Sequence, residues 1–361
     1  MMNIASKYKS LSGYSRTNIK TYSLVIIAFA ILFPLSKTGA ISYSITGQLV
    51  PICAYIVMAI SLNLTVGTLG ELSLGHAGFM SIGAFTGVVV TAALQNSITS
   101  NPLRLLIAMV IGGIIAGIAG CLIGIPVLRL SGDYLAIVTL AFGEIIKNII
   151  NCLYVGIDKS GLHINMKDVA SLGMKEGRIL INGPQGATGI NPISSFTAGF
   201  LLILFTLFIV INLVYSRSGR AITAIRDNRI AAESVGIGVM KYKMIAFVTS
   251  AALAGMAGVL YAMNFSTIAA EKFNFNTSIL ILVFVVLGGM GNIFGTIIAT
   301  TLLYMLPELL RGVGDYRMLI YAILLIAVML LTNSSRAQLF FENIKLKFRQ
   351  KLSKNKGGEV D

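Results

Sequence analysis

Residues 277–310 read TSILILVFVVLGGMGNIFGTIIATTLLYMLPELL, and the only charged side chain in this stretch is that of Glu308. A helix of about 20 apolar residues crosses a hydrocarbon layer about 30 Å thick. The stretch could therefore form one long membrane helix or two short ones. Three glycines in four positions, Gly288, Gly289 and Gly291, favour a break between two helices.

Similar apolar runs recur along the 361 residues, of which 56% are hydrophobic and 12% are charged. A soluble domain needs fewer apolar residues and carries more charge. The sequence therefore predicts an all-α, polytopic membrane bundle of about ten transmembrane helices. The expected spans are residues 21–36, 45–66, 77–94, 104–127, 133–155, 195–215, 242–264, 276–289, 293–310 and 317–333.

The distribution of positive charge predicts the orientation of this bundle, because short cytoplasmic connections are rich in Lys and Arg. The formal net charge is +14, and the segment 1–20, the connection 216–241 and the tail 334–361 are all basic. Placing the three in the cytoplasm requires an even number of spans, which a break at 288–291 supplies. Residues 21–333 then form the membrane domain, with the long connection 156–194 outside. We expect no nucleic-acid binding, and the tail either lies on the anionic inner leaflet or stays solvated.

The connection 216–241 is predicted to contain two short helices. Asp227 or Asn228 can cap the free N–H groups of the second helix, and Gly236 can end it. The small Ala231 and Ala232 would leave one face of that helix flat, a surface suited to docking in a partner's cleft. A plain cytoplasmic linker is the alternative interpretation.

Two groups of small and polar residues interrupt apolar runs on the predicted cytoplasmic side. Non-helical backbone at membrane depth is tolerated where protein or a watery cavity surrounds it. The groups are therefore candidates to line a translocation pathway, and tightly packed cytoplasmic turns are the alternative. They comprise Asn63, Gly67, Gly70, Ser73 and Gly75 near the end of the second span, and Gly288, Gly289 and Gly291 after the eighth.

Glu144 is an acidic residue inside the fifth predicted span. Ionisable side chains are costly there and usually face the bundle interior or water. Glu144 could therefore contact a zwitterionic substrate in the pathway. Alternatively, Lys147 lies three residues further along the same helix face and could neutralise it locally.

Four stretches carry a family resemblance. Residues 231–236, AAESVG, are similar to the Glu-Ala-Ala loop of ATP-binding-cassette importer permeases, although the order here is Ala-Ala-Glu. Residues 62–85 (LNLTVGTLGELSLGHAGFMSIGAF), 132–146 (GDYLAIVTLAFGEII) and 286–295 (VLGGMGNIFG) together resemble the Liv-type permeases for branched-chain amino acids, more closely the LivM branch. The resemblance runs in the same order from about Tyr55 to Leu303.

This resemblance implies a permease subunit of an importer in the bacterial inner membrane, moving branched-chain or related amino acids. The implied partners are a second permease subunit, two cytoplasmic ATPase subunits and an extracellular substrate-binding protein, besides the lipid bilayer. The implied ATPase-coupling residues are Gly219, Arg220, Arg226, Asp227, Ala231, Ala232, Glu233 and Gly236. A permease for urea or short amides and an ion-coupled secondary carrier remain alternatives.

The sequence does not predict catalytic residues, a cofactor or a metal site. It contains no Gly-Lys dipeptide, which excludes a phosphate-binding loop with its lysine. His76, directly before the third predicted span, is the only histidine in a span region, and the three cysteines lie apart. Energy for transport must therefore come from a partner or from an ion gradient.

Overall fold

The computed structural model describes residues 13–39, 42–130, 132–158, 161–174 and 177–333. The predicted N-terminal segment 1–20 is thus described only from residue 13, where a helix is already present. The basic tail 334–361 lies outside the described residues. The described residues form two compact units, which divide between Leu302 and Leu303.

Helices make up most of the described residues. Those before the connection 216–241 are α1 (Gly13–Lys37), α2 (Tyr43–Asn63), α3 (His76–Ala93), α4 (Asn101–Val127), α5 (Asp133–Asn151) and α6 (Phe196–Tyr215). Those that follow are α7 (Arg217–Asp227), α8 (Arg229–Ser234), α9 (Val239–Ala262), α10 (Phe275–Gly288), α11 (Ile293–Leu309) and α12 (Arg317–Asn333). A π-helical segment, Leu64–Leu69, extends α2, and 3-10 turns lie at Ala170–Leu172, Gly183–Gln185, Ala270–Phe273 and Leu310–Tyr316.

Seven helical stretches of the described residues are long and apolar enough to cross a membrane. They involve α1, α2 with its π-helical extension, α3, α4, α6, α9 and α11. α10 is apolar but has 14 residues, or roughly 21 Å, which is shorter than the hydrocarbon layer. The prediction of a polytopic helical membrane protein is confirmed, whereas the number ten and the cytoplasmic placement of both termini stay predictions.

Local sequence signals explain where several of these helices begin. The Ser195 hydroxyl accepts a hydrogen bond from the Ala198 N–H at 3.2 Å and caps α6. The Asn274 side chain accepts one from the Thr277 N–H at 3.1 Å and caps α10. Such caps satisfy backbone donors that an apolar helix would otherwise leave free.

The connection 156–194 contains a small antiparallel sheet, which the sequence analysis missed. β1 (Tyr154–Asp158) lies between β2 (Gly161–Asn165) and β3 (Gly177–Asn182). The all-α class therefore holds for the membrane helices and is wrong for this connection. Short runs of β-branched and aromatic residues favour these strands, but the glycines within and beside them are equally typical of loops.

α9 lies at the centre of the first unit and packs against α2, α3 and α4. Glycines allow the backbones to touch: a Cβ at Gly83 would lie 2.0 Å from the Gly255 carbonyl oxygen, and one at Gly258 would lie 2.0 Å from that of Met80. Close approach through small residues is a common way for membrane helices to associate. This packing fixes the position of the end of α2 and the start of α3.

Candidate functional site

The second span ends in a buried π-helical segment, and a partly exposed irregular segment follows it. α2 continues into the π-helical segment Leu64–Leu69, which Gly70 terminates in a left-handed conformation with φ of +80°. Residues 70–75 then form no regular helix, and α3 begins at His76. The structure therefore contains the interruption that the glycines predicted, and the pathway role of these residues stays a prediction.

The two glycine groups meet in space. A Cβ at Gly67 would lie 2.2 Å from the backbone nitrogen of Gly291. Asn63 links the groups further: its Oδ1 accepts a hydrogen bond from the Gly291 N–H at 2.8 Å, and its Nδ2 donates one to Thr296 Oγ1 at 3.0 Å. Asn63 is 2% exposed, and these two hydrogen bonds satisfy both of its buried polar atoms. The link spans 228 positions of sequence.

The connection between α6 and α9 touches this cluster through Arg226, the penultimate residue of α7. Its Nη1 donates a hydrogen bond to the Gly67 carbonyl oxygen at 3.0 Å. Asp227 Oδ1 accepts from Nε and Nη2 of the same guanidinium, at 3.2 and 3.1 Å. A Cβ at Gly70 would lie 2.6 Å from Arg226 Cγ. The absence of a side chain at Gly70 thus leaves room for the arginine to lie against the end of the π-helical segment.

The two short helices predicted for this connection are confirmed. Asn228 Oδ1 accepts a hydrogen bond from the Ala231 N–H at 3.0 Å and caps α8. Gly236, with φ of +84°, follows the helix end. Its N–H donates to the Glu233 carbonyl at 3.0 Å, and that of Ile237 donates to the Ala232 carbonyl at 3.1 Å. This pair of bonds is the Schellman arrangement of a helix end.

α7 begins at Arg217, with only Ser216 between it and the end of α6. The Ser216 hydroxyl accepts a hydrogen bond from the Gly219 N–H at 3.2 Å. A Cβ at Gly219 would lie 2.0 Å from the Val214 carbonyl oxygen. Gly219 therefore permits the sharp turn from α6 into α7. Arg220 is exposed on α7.

The prediction that Ala231 and Ala232 form one flat, exposed face of α8 is wrong. Ala232 is 4% exposed and packs against Ile225 and Val239, whereas Ala231 is exposed. The exposed surface instead presents two large apolar side chains, Ile230 at 79% and Val235 at 74% exposure. Ile222 and Ile225 of the same connection are buried, so the sequence alone does not single out Ile230 and Val235 as exposed.

Glu233 lies beside this apolar surface of α8. Its Oε1 forms an ion pair with Arg229 Nε at 3.1 Å, four residues apart on the helix. Both side chains are about half exposed, so water screens the pair and its contribution to stability is small. The pair leaves α8 with charge beside two exposed apolar side chains.

A second tie holds the irregular segment. Glu71 follows Gly70 and forms an ion pair with Lys243, whose side chain is 3% exposed near the start of α9. The Glu71 N–H also donates to the Thr65 carbonyl at 3.1 Å. The sequence alone does not predict this ion pair, because Glu71 and Lys243 lie 172 positions apart.

Residues 73–76 pack against neighbouring helices. A Cβ at Gly75 would lie 2.2 Å from the Thr139 carbonyl oxygen of α5, and Thr139 Oγ1 accepts from the Leu74 N–H at 3.0 Å. Ser73 is 2% exposed, and its hydroxyl has no hydrogen-bond partner among the described residues. His76 Nε2 and Ser61 Oγ are 2.7 Å apart. Tight packing surrounds this end of the irregular segment.

Gly288 and Gly289 form the turn from α10 to α11. A Cβ at Gly295 would lie 2.0 Å from the Gly288 carbonyl oxygen, and Gly289 has φ of +90°. Glycine therefore permits both the close approach of the two helices and the left-handed backbone. This turn holds Gly291 against Gly67.

Glu144 borders a small cleft that Leu74 and Phe275 also line. It forms an ion pair with Lys147, and its Oε1 accepts from the Phe275 N–H at 3.3 Å. The carboxylate therefore has a local counter-charge and a backbone donor. These contacts favour the interpretation of local neutralisation.

Comparisons with known proteins cover most of the chain. Residues 44–330 match the family described as the permease component of branched-chain amino acid transport systems. The LivM high-affinity branched-chain amino acid permease protein of Salmonella typhimurium is 33% identical over 339 residues, 91% of this chain and 76% of the relative. That of Escherichia coli K12 is 34% identical over 324 residues, 85% of this chain and 72% of the relative.

A second kind of permease is also similar. The LivH permease protein of Salmonella typhimurium is 25% identical over 254 residues, 69% of this chain and 79% of the relative. No solved structure is significantly similar to the chain.

Proposed function

The chain belongs to the family of permease components of branched-chain amino acid transport systems, and on that premise we propose how it couples ATP hydrolysis to substrate movement. It is the permease subunit of an ATP-binding-cassette importer for branched-chain amino acids, embedded in a membrane, and its relatives are transport subunits rather than enzymes. The membrane is the bacterial inner membrane.

We propose that the chain works within a larger assembly. Two separate cytoplasmic ATPase subunits hydrolyse ATP, and an extracellular binding protein delivers the amino acid. The similarity to both LivM and LivH proteins supports a pair of related permeases. In this arrangement the cytoplasmic side carries the N-terminal segment 1–20, the connection 216–241 and the tail 334–361. The connection 156–194 faces outward. The basic charge of the three cytoplasmic segments supports that orientation.

The proposed contact with an ATPase subunit is α8 and its flanks. Ile230 and Val235 are large, apolar and exposed, and they lie in a connection outside the predicted spans, where lipid would not cover them. The ion pair between Arg229 and Glu233 adds charge beside them. The capped ends of α8 support its movement as one rigid piece when the ATPases close.

The hydrogen bond from Arg226 to the Gly67 carbonyl is the single observation that carries the coupling proposal. Movement of α7 and α8 displaces the Arg226 guanidinium, which pulls on the π-helical segment. π-helical turns occur often at functional sites. Because Gly67 touches Gly291, the displacement reaches both glycine groups.

The proposed inner end of the translocation pathway is formed around this cluster. Its residues are Asn63, Gly67, Gly70, Ser73, Gly75, Gly288, Gly289 and Gly291. Glu144 is left out, because Lys147 and the Phe275 N–H already occupy its carboxylate. The same contacts disfavour the ion-coupled carrier, for which Glu144 was the candidate.

The decisive experiment compares Arg226→Gln with wild type in the complete importer reconstituted in liposomes. We expect ATP hydrolysis to continue while leucine uptake per ATP falls about tenfold, because the link to Gly67 is lost. Arg217→Gln is the matched control, since Arg217 is an exposed arginine of the same helix. Equal uptake per ATP in Arg226→Gln and wild type would refute the coupling role.

A further inference from the structure

A cleft beside the sheet contains two arginines outside the proposed coupling site. Arg104 lies near the start of α4, and Arg178 lies in β3. The remaining described lining comes from the end of α3, from Gln95 and Leu180, and from residues 188–191, and it is uncharged. The described walls of the cleft therefore carry two positive charges and no carboxylate.

Arg104 is unusually buried for an arginine, with 7% exposure. Its Nη2 donates a hydrogen bond to Asn101 Oδ1 at 2.9 Å. Its Nε is also buried and has no hydrogen-bond partner among the described residues. A buried guanidinium loses its hydration and is stabilised only by acceptors or a counter-charge. Among the described residues, Arg104 thus brings to the wall of the cleft a guanidinium that no carboxylate neutralises.

Arg178 supplies the second charge and is exposed. A Cβ at Gly189 would lie 3.0 Å from Arg178 Nη2, so the guanidinium lies closely against the chain at this glycine. Within the described residues, which exclude Glu176, neither arginine forms an ion pair. Two guanidinium groups bordering one cleft attract an anion.

The size of the cleft limits the ligand. Its cavity volume is about 20 Å³, and a single water needs about 10–15 Å³ measured in this way. A leucine molecule is too large for this space. One carboxylate group or a chloride ion is of suitable size, and the guanidinium fork is well matched to carboxylate oxygens.

We propose that this cleft is an anion site that holds one small anionic group, of the size of formate, between Arg104 and Arg178. The group is either a free anion from solution or an acidic side chain presented by the extracellular binding protein. Only the second source rests on the proposed function. The shared chemistry is a single carboxylate-sized anion bound by two guanidinium groups.

The test uses the complete importer in lipid nanodiscs and follows its thermal unfolding as sodium formate replaces sodium gluconate at constant ionic strength. We expect Tm to rise with formate and to saturate, because formate enters the cleft and gluconate is too large. Arg178→Gln should abolish this rise. Lys167→Gln removes an exposed positive charge from the same connection outside the cleft, and should leave it intact.

Arg104→Gln should abolish the rise as well, and the exposed Arg178 keeps the test valid where the buried substitution prevents folding. An equal Tm in formate and gluconate, or a full formate response in Arg178→Gln, would overturn the anion site. Because this readout needs no transport, its failure would leave the proposed function standing.

A second measurement identifies the source of the anion. Docking of the binding protein to the nanodiscs is titrated with and without formate. If formate weakens docking to wild type but not to Arg178→Gln, the anion is an acidic side chain of the binding protein. If the Tm rise holds while docking is indifferent to formate, the anion comes from solution. Either outcome supports the site.

Discussion

The Nη1 atom of Arg226 lies 3.0 Å from the carbonyl oxygen of Gly67, and the two residues are 159 positions apart. Gly67 in turn touches Gly291, which begins the approach to α11. A short path of contacts therefore runs from α7 to both irregular helix ends.

Replacement of Gly67 by Ala should disrupt the contact between the two glycine groups. The new Cβ would lie 1.9 Å from Asn63 Oδ1 and 2.2 Å from the Gly291 nitrogen, so backbone must move. Overpacking of this kind costs about 1–3 kcal/mol. We expect a lower Tm in nanodiscs and reduced leucine uptake.

Gly47→Ala is the matched control for Gly67→Ala. Gly47 lies in the same helix run, and a Cβ there would meet no atom within 4 Å. Alanine is favoured over glycine in a helix by about 1 kcal/mol, so Tm should stay equal or rise. A similar Tm in Gly67→Ala and Gly47→Ala would contradict the close contact between Gly67 and Gly291.

Replacement of Lys243 by Met should destabilise the segment 70–75. Methionine is an unbranched side chain one atom shorter than lysine. The change therefore keeps most of the packing but leaves the Glu71 carboxylate without its buried counter-charge. Breaking a buried ion pair on one side costs about 3–5 kcal/mol. We therefore expect a marked fall in Tm, measured in nanodiscs.

Adding Glu71→Gln to Lys243→Met should restore part of that loss, because no isolated charge then remains buried. The comparison of the two single variants with the double variant isolates the interaction between the side chains. A double variant that is less stable than Lys243→Met would show that the ion pair is not what holds the segment.

The apolar surface of α8 is expected to contribute to ATPase binding. Ile230→Asp places a charge where an exposed apolar side chain now lies, so the affinity for the ATPase subunit should fall about tenfold, or about 1.4 kcal/mol. The folding of the permease should not change, because the Ile230 side chain is 79% exposed. Binding is measured by titrating detached ATPase onto nanodiscs.

Met166→Asp is the control for Ile230→Asp, since Met166 is an exposed apolar residue of the connection 156–194. It should leave ATPase affinity unchanged. Unaltered ATPase affinity in Ile230→Asp would contradict the proposal that α8 is the docking surface. α7 would then be the remaining helix of this connection to test for ATPase binding.

The sequence was informative where the determinants are local. Asn228 and Gly236 mark the two ends of α8 because capping depends on a few adjacent residues. The helix interruption at Gly70 was likewise visible as glycine spacing. These features need no knowledge of distant parts of the chain.

The parts that the sequence did not predict depend on distant contacts or on weak local patterns. The pairing of Glu71 with Lys243 joins residues 172 positions apart, and nothing in either neighbourhood indicates the other. The inward position of Ala232 follows from its packing on Ile225 and Val239, not from its size. In the sheet, Gly156 and Gly177 obscured the strand pattern.

Labelling in intact cells tests the orientation on which the coupling proposal depends. The free cysteines Cys53, Cys121 and Cys152 are first replaced by serine or alanine, and then Ser234→Cys or Lys167→Cys is introduced. Both positions are exposed, so a membrane-impermeant maleimide distinguishes them by side alone. We expect labelling of the Lys167→Cys variant in intact cells, and of the Ser234→Cys variant only after the inner membrane is opened. Labelling of the Ser234→Cys variant from outside would place α8 on the wrong side for a cytoplasmic ATPase, whatever the number of spans.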